Sequence, residues 1–126
     1  MPRFPNRNIF ELPFDPSIVE AVWEKAPIVA GEDPFEFRKD CCGAWIKKRS
    51  FGTADSFGWE IDHIKPVSQG GTDDPENLQP LHWRNNRGKG DLFPRWKATL
   101  PVKARKAFSA GQVERRAGWF RNGRAG

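Results

Sequence analysis

The sequence predicts a small single-domain protein of the α+β class, and three observations support this prediction. A chain of 126 residues suffices for one modest hydrophobic core. Apolar residues recur at helical spacing between positions 16 and 26. Apolar and acidic residues alternate over positions 59–62, as in a strand, and a second short apolar segment at 78–81 leads into a basic, amide-rich stretch that is typical of a helix.

The first predicted element is an amphipathic helix. Asp15 followed by Pro16 is typical of a helix cap and a first helical position, and Pro27 ends the apolar pattern. Residues 33–34 (Asp-Pro) then indicate a short turn, whereas residues 42–52 are compatible with either a hairpin or an irregular loop. The apolar positions of the helix, of which the tryptophan is expected in the core, are Ile18, Val19, Val22, Trp23 and Ala26.

Two strands and a helix are predicted for the middle of the chain. In WEIDHIKP, residues 59–66, apolar and acidic side chains alternate as in a half-buried strand that ends at its proline. The polar segment VSQGGTDDPEN follows and is turned by Gly70 and Gly71. LQPL is then predicted to form a second strand, and HWRNNRGKG a helix that frays at Gly88 and Gly90.

Composition and charge narrow the class of protein. The chain is too aromatic for a disordered protein, its apolar runs are too short to span a membrane, and its first ten residues lack the apolar centre of a signal peptide. We therefore expect a cytoplasmic protein without a membrane partner, in which the adjacent Cys41 and Cys42 stay reduced.

The charge of the chain is unevenly distributed. From residue 94 onward there are nine Lys or Arg and one Glu, a net charge of +8, whereas the rest of the chain carries −3. This basic extension favours a polyanion partner, with nucleic acid as the first candidate, although it would also serve as a docking arm for a protein.

The polar residues of positions 60–91 have the chemistry of a phosphodiesterase site. Asp62 supplies a carboxylate oxygen and Asn86 an amide oxygen, which together with water and a substrate phosphate suit Mg²⁺. His63 can transfer a proton near neutral pH. Because His63 and Asp62 are neighbours on a predicted strand, their side chains leave opposite faces. Phosphodiester hydrolysis needs such an arrangement, because a base activates water on one side of phosphorus and a cation lies near the leaving oxygen on the other side.

The same residues resemble a known family. The sequence DHIKP, then Asn77-Leu78, then NRGKGD at positions 86–91 is similar to the HNH endonuclease motif, whose core is the ββα-metal fold. The similarity is greatest to the version with Asn at the third position, as in the HNH domain of the RNA-guided CRISPR nuclease. It covers residues 60–91 and reaches back towards Cys42.

The resemblance implies a role for each anchor residue. His63 would be the general base, Asp62 and Asn86 the ligands of Mg²⁺, for which Mn²⁺ would substitute, and Asn77 would hold the long loop so that the catalytic histidine keeps its orientation. The implied substrate is DNA. Three cations around the proposed metal site are candidates for phosphate contacts, unless they belong to a solvated basic helix: Arg84, Arg87 and Lys89.

Some neighbouring residues leave alternatives open. Asn85 is a rival of Asn86 as the amide ligand. Glu60 would serve either the metal through water or a structural ion pair. His82 is interpreted as a core or helix-start residue and not as a ligand.

Many HNH proteins bind a structural zinc through two Cys-x-x-Cys pairs. The corresponding positions here hold one Lys, one Cys, one His and one Asn, which do not make a zinc site. We therefore expect no structural zinc and, in its place, packing by Trp45 and Trp83. The four positions are Lys39, Cys42, His82 and Asn85.

These inferences predict a nuclease with an N-terminal helical flank (1–37), an HNH core (38–97) and a basic C-terminal extension (98–126), a helix or a tail. One core should nick one strand of DNA, so that cutting both strands would need a homodimer, two successive nicks or a larger assembly. Two alternatives remain: a catalytically silent DNA-binding module, and a nuclease subunit that acts only with a protein partner, as in a phage packaging assembly. A secreted toxin receives little support from the acidic body of the chain.

Overall fold

The computed structural model describes residues 3–100, which form two helices and two antiparallel hairpins. This arrangement confirms the predicted α+β class. No helix in this range is long and apolar enough to span a bilayer. From position 101 onward, the predicted basic extension lies outside the described residues. The elements are α1 (Pro16–Trp23), β1 (Phe37–Lys39), β2 (Trp45–Lys47), β3 (Trp59–His63), β4 (Leu78–His82) and α2 (Trp83–Lys89), with short 3-10 turns at Lys48–Ser50, Val67–Gln69 and Pro75–Asn77.

Helix α1 begins at Pro16 as predicted, but the predicted side-chain cap is wrong. The carboxylate of Asp15 makes no cap hydrogen bond. Its backbone carbonyl instead accepts the amides of Ile18 and Val19, at 2.9 and 3.1 Å. Proline suits the first helical position because its missing N–H would have no partner there.

Residues 42–52, for which the sequence left a hairpin or an irregular loop open, contain one strand of hairpin β1–β2. Strand β2 lies inside that segment, whereas its partner β1 precedes it, with Phe37 opposite Lys47 and Lys39 opposite Trp45. Residues 40–44 form the connection between the two strands.

Hairpin β3–β4 contains both strands predicted for the middle of the chain. The strands pair antiparallel with Trp59 opposite His82, so that β4 runs one residue further than predicted. The prediction that β3 is half-buried is wrong. Glu60 and Asp62 are 1% and 5% exposed, because α2 covers their face and bonds to both carboxylates.

The main core lies where α1 packs on hairpin β3–β4. Trp23 and Trp59 meet at its centre with ring centroids 5.4 Å apart, and neither is more than 1% exposed. The predicted core position of Trp23 is therefore confirmed. The remaining buried residues of this cluster are Val22, Ala26, Ile46, Ile61 and Leu78.

Helix α2 starts from His82, which confirms the helix-start interpretation. Nδ1 of His82 accepts the amide of Arg84 at 3.1 Å, and Nε2 lies 2.9 Å from the carbonyl oxygen of Ser56. An accepting Nδ1 requires the hydrogen on Nε2, so the ring is held neutral. The helix does not fray at Gly88, where a Cβ atom would lie 1.9 Å from Oγ1 of Thr99. A side chain at this position would therefore require the side chain of Thr99 to shift.

A buried carboxylate joins the first hairpin to the start of α2. Asp40 is 1% exposed. Its Oδ1 accepts the amides of Cys42 and Ala44 at 3.0 and 2.8 Å. Its Oδ2 accepts the amide of His82 and Nδ2 of Asn85 at 2.9 and 3.0 Å. Asp40 therefore connects the two parts of the chain that would carry the zinc-binding pairs.

Packing by Trp45 and Trp83 at this place stays a prediction. Nζ of Lys39 lies 4.8 Å from the centroid of the Trp45 ring, and the ring of Trp83 stacks on that of His82 at 5.9 Å. Trp45 belongs to a separate aromatic cluster with Phe37 and Phe57. Trp83 is only half-buried, and its indole nitrogen donates to the carbonyl of Asp55 at 2.7 Å. Within residues 3–100, no group of three or more His, Cys, Asp or Glu side chains is placed to hold a metal ion.

Removing the Asp40 carboxylate should destabilise the protein strongly. Asp40→Ala leaves four donors without their acceptor, and we expect it to lower the free energy of unfolding by about 3 kcal/mol, measured by urea denaturation. Asp55→Ala is the control, because Asp55 is exposed and its carboxylate accepts from its sequence neighbours Thr53 and Phe57. A similar loss in both variants would contradict the role of Asp40.

The cap at His82 should make stability depend on pH. Burial lowers the pKa of His82, so the unfolded chain binds the proton more readily and stability falls as the pH drops below the unfolded pKa of about 6.5. The free energy of unfolding then falls by up to about 1.4 kcal/mol per pH unit. His82→Asn keeps a capping side chain that cannot be protonated. Urea denaturation at pH 7.5 and 5.5 should show a smaller loss in this variant, and equal losses would contradict the mechanism.

Candidate active site

A cleft of about 550 Å³ lies between β3, α2 and the N-terminal segment, which we define as residues 3–14. His63 and Asp62 at the end of β3 and Asn86 of α2 all line this cleft. The three residues to which the sequence assigned the chemistry therefore line the same cleft. Other charged residues of the lining are Arg3, Arg7, Glu60, Arg87 and Asp91.

The imidazole of His63 is held on two sides. Its Nε2 lies 2.9 Å from Oδ1 of Asp73, and the ring of Phe14 lies beside it at a centroid distance of 5.9 Å. Because an ionised carboxylate can only accept, Nε2 carries the shared hydrogen and Nδ1 keeps its lone pair. His63 therefore offers Nδ1 as its basic atom. Its side chain is 10% exposed.

Asp62 is buried and has different partners from its neighbour on the strand, as expected for side chains on opposite faces. Oδ2 accepts Nε2 of Gln79 at 2.9 Å, and Oδ1 accepts the ammonium of Lys89 at 3.1 Å. Burial raises the pKa of Asp62, and the contacts with Gln79 and Lys89 act in the opposite direction. Additional positive charge in the cleft would favour the ionised carboxylate further.

Glu60 orients Asn86. The amide nitrogen of Asn86 donates to Oε1 of Glu60 at 2.7 Å, and Arg87 donates to Oε2 at 3.0 Å. A planar amide held through its nitrogen directs its oxygen away from Glu60. Asn85, the rival candidate, is fully buried and bonded to Asp40. Of the two amides, only Asn86 lines the cleft.

The three cations predicted to contact DNA have different surroundings. Lys89 is 1% exposed, and its ammonium bonds Asp62 and a backbone carbonyl of β3, each at 3.1 Å. It is thus a buried ion-pair partner and does not lie on the surface as expected. Arg84 and Arg87 are exposed and lie over the ring of Trp83, at 5.0 and 5.2 Å from its centroid. Contact of these arginines with DNA stays a prediction.

Asn77 ties together the loop that follows His63. Its Oδ1 accepts the amide of Lys65 at 2.8 Å, and its Nδ2 donates to the carbonyls of Lys65 and Thr72 at 3.1 and 2.9 Å. The backbone carbonyl of Asn77 accepts the amide of Ile64 at 2.7 Å. These four bonds suit the role suggested for Asn77, which stays a prediction.

Sequence reasoning missed Asp73 and the contribution of the N-terminal segment. Asp73 and Asp74 are neighbours of identical chemistry, and no local pattern separates them. The structure distinguishes the two residues. Asp74 caps a 3-10 turn by accepting the amide of Glu76 at 3.1 Å, whereas Asp73 is hydrogen-bonded to His63. Nothing in the sequence near positions 3–14 pointed to a contact with β3.

The donor set of the cleft fits an oxygen-preferring divalent cation. Each carboxylate oxygen of Asp62 accepts one hydrogen bond and retains a further lone pair. The amide oxygen of Asn86 is the second donor. A carboxylate and an amide oxygen, completed by water, suit Mg²⁺ or Mn²⁺ better than Zn²⁺.

Hairpin β3–β4, its long connecting loop and α2 form a compact ββα unit with a histidine, a carboxylate and an amide on one cleft, the class of core expected from the sequence. In agreement, the family model of HNH endonucleases matches residues 41–92, so this segment is an HNH endonuclease domain. No curated protein and no solved structure matches the chain. An HNH domain indicates nuclease activity on nucleic acid.

The glycine turn should be essential for the shape of the loop. A Cβ atom at Gly71 would lie 1.8 Å from the carbonyl oxygen of Lys65, to which Asn77 donates. We expect Gly71→Ala to lower the free energy of unfolding by at least about 2 kcal/mol and to reduce nuclease activity. At Gly70, with φ of +92° and open space around it, alanine should cost only about 1 kcal/mol. Urea denaturation of both variants tests this, and equal effects would contradict it.

Proposed function

We propose that this protein is an HNH nuclease that hydrolyses phosphodiester bonds in double-stranded DNA and nicks one strand at a time. His63 acts as the general base, and Asp62 and Asn86 hold Mg²⁺. The observation that carries the proposal is that all three residues line one cleft, while the histidine and the carboxylate leave opposite faces of β3.

The geometry of His63 supports proton transfer from water. With Nε2 engaged by Asp73, Nδ1 is the atom that can take the proton as the water oxygen attacks phosphorus. The new P–O bond forms as the bond to the leaving oxygen breaks, and that oxygen then takes a proton from solvent. Mg²⁺ bound by Asp62 and Asn86 would supply positive charge for the phosphate and the leaving oxygen.

The charge around the cleft supports a polyanionic substrate. Arg3, Arg7 and Arg87 line the cleft, and the exposed Arg84 lies with Arg87 over the ring of Trp83. In the proposal these side chains contact phosphates without reading sequence, so DNA affinity falls as salt rises. One base and one pair of metal ligands form one site, so cleavage of both strands needs a second copy, a second nick or a larger assembly.

The test is nicking of supercoiled plasmid with EDTA, Mg²⁺, Mn²⁺ or Zn²⁺. We expect nicking with Mg²⁺ and Mn²⁺ and none with EDTA. His63→Ala should lower the rate at least about 100-fold, because it removes the base, and Asn86→Ala should require more Mg²⁺ for half-maximal rate. His82→Asn at pH 8 is the matched histidine control and should keep most of the activity, since His82 lies outside the cleft.

Other results would contradict the proposal. Parental activity in His63→Ala would exclude the proposed base. Absence of nicking with every metal, while the protein still retards DNA in a gel, would favour the binding module or the partner-dependent subunit. Preferential cleavage of an RNA strand under the same conditions would overturn the choice of DNA.

A further inference from the structure

We propose that Asp73 is the positioning residue of His63, and that the N-terminal segment, which lies outside the matched residues 41–92, holds Asp73 in place. The inference rests on the proposed function, in which His63 is the base. It extends the site beyond the family core, to a part of the chain that carries neither the base nor a metal ligand.

The first support is a pair of donors that converge on one carboxylate oxygen. Oδ1 of Asp73 lies 2.9 Å from Nε2 of His63 and accepts the backbone amide of Ile9 at 3.2 Å. Oδ2 accepts the same amide at 3.1 Å. The carboxylate is thus oriented by Ile9 in a position that serves His63.

The second support is that the N-terminal segment is braced independently of Asp73. The side-chain oxygen of Asn8 accepts the amides of Phe10 and Leu12 at 2.8 and 3.1 Å, and Arg3 pairs with Glu11 at 2.6 Å. These contacts fix the loop in which the amide of Ile9 lies. The loop can therefore present that amide to the carboxylate.

The third support is that the same segment reaches β3 and His63 directly. Oδ1 of Asn6 accepts the backbone amide of Ile61 at 2.7 Å, and the ring of Phe14 lies beside the imidazole of His63. The base is therefore enclosed between the segment and the loop that carries Asp73.

The chemical consequence is selection of one imidazole tautomer. Acceptance by Asp73 keeps the hydrogen on Nε2 of His63, which leaves Nδ1 as the acceptor for the proton of the attacking water. Asp73 also limits rotation of the ring. It touches neither the phosphate nor a metal ligand in this arrangement, so it acts through His63.

Three variants test the assignment by steady-state nicking kinetics with Mg²⁺. Asp73→Ala should lower kcat about 100-fold with KM nearly unchanged, because orientation of the base is lost while the DNA contacts remain. Asp73→Asn should recover a large part of kcat, because both donors converge on Oδ1 and an amide oxygen can accept them there. Asp74→Ala is the matched control and should keep kcat within about threefold, since Asp74 only caps a turn.

A second measurement does not depend on activity. The chain has two histidines, and in ¹H–¹⁵N spectra each should show a slowly exchanging Nε2–H proton, that of His63 bonded to Asp73 and that of His82 bonded to Ser56. His63→Ala assigns the first signal. Asp73→Ala should remove it, Asp73→Asn should restore it, and the signal of His82 should persist as the internal reference.

The two measurements separate the possible failures. Parental kcat in Asp73→Ala, or a His63 signal that survives in that variant, would overturn the role of Asp73. An unchanged kcat in His63→Ala would instead refute the proposed function. In an inactive protein, the ring N–H signals alone decide whether Asp73 positions His63.

Discussion

Two acidic side chains on one face of β3 are buried, and the remainder of the site depends on how helix α2 satisfies them. A buried carboxylate is costly unless it is paired and hydrogen-bonded. Glu60 accepts hydrogen bonds from Asn86 and Arg87, and Asp62 accepts one from Lys89, all within the second half of α2. These bonds dock α2 across β3 in one orientation. The same docking places an amide next to a carboxylate in the cleft, so that the contacts that stabilise the fold also form the proposed metal site.

The start of α2 is fixed by a second buried carboxylate. Asp40 holds two amides of its own turn together with the amide of His82 and the side chain of Asn85. It connects the two stretches that in many HNH proteins bind zinc, and it does so with hydrogen bonds only. A carboxylate with four donors is rigid because each bond restricts the others. The helix that carries Asn86 is thereby anchored at its first turn.

His63, the proposed general base, is enclosed by parts of the chain that lie far apart in sequence. On one side, Asn77 and the close approach at Gly71 shape the loop after β3. On the other side, the N-terminal segment contacts Asp73, which in turn bonds His63. In the proposal, the ββα core supplies the reacting groups, whereas the orientation of the base depends on a segment outside that core.

Local sequence patterns determined the elements of this protein, and long-range contacts decided how its site is built. Helical spacing and strand alternation are local patterns, and the intervals between His63, Asn77 and Asn86 are also short. The sequence alone therefore predicted the α+β class and the residues that line the cleft. Lys89 was predicted to contact phosphate, and only the docking of α2 reveals that it is buried against Asp62. The contact of Asp73 with the N-terminal segment spans 64 positions. No local pattern encodes such a contact, because it arises only when distant segments pack together.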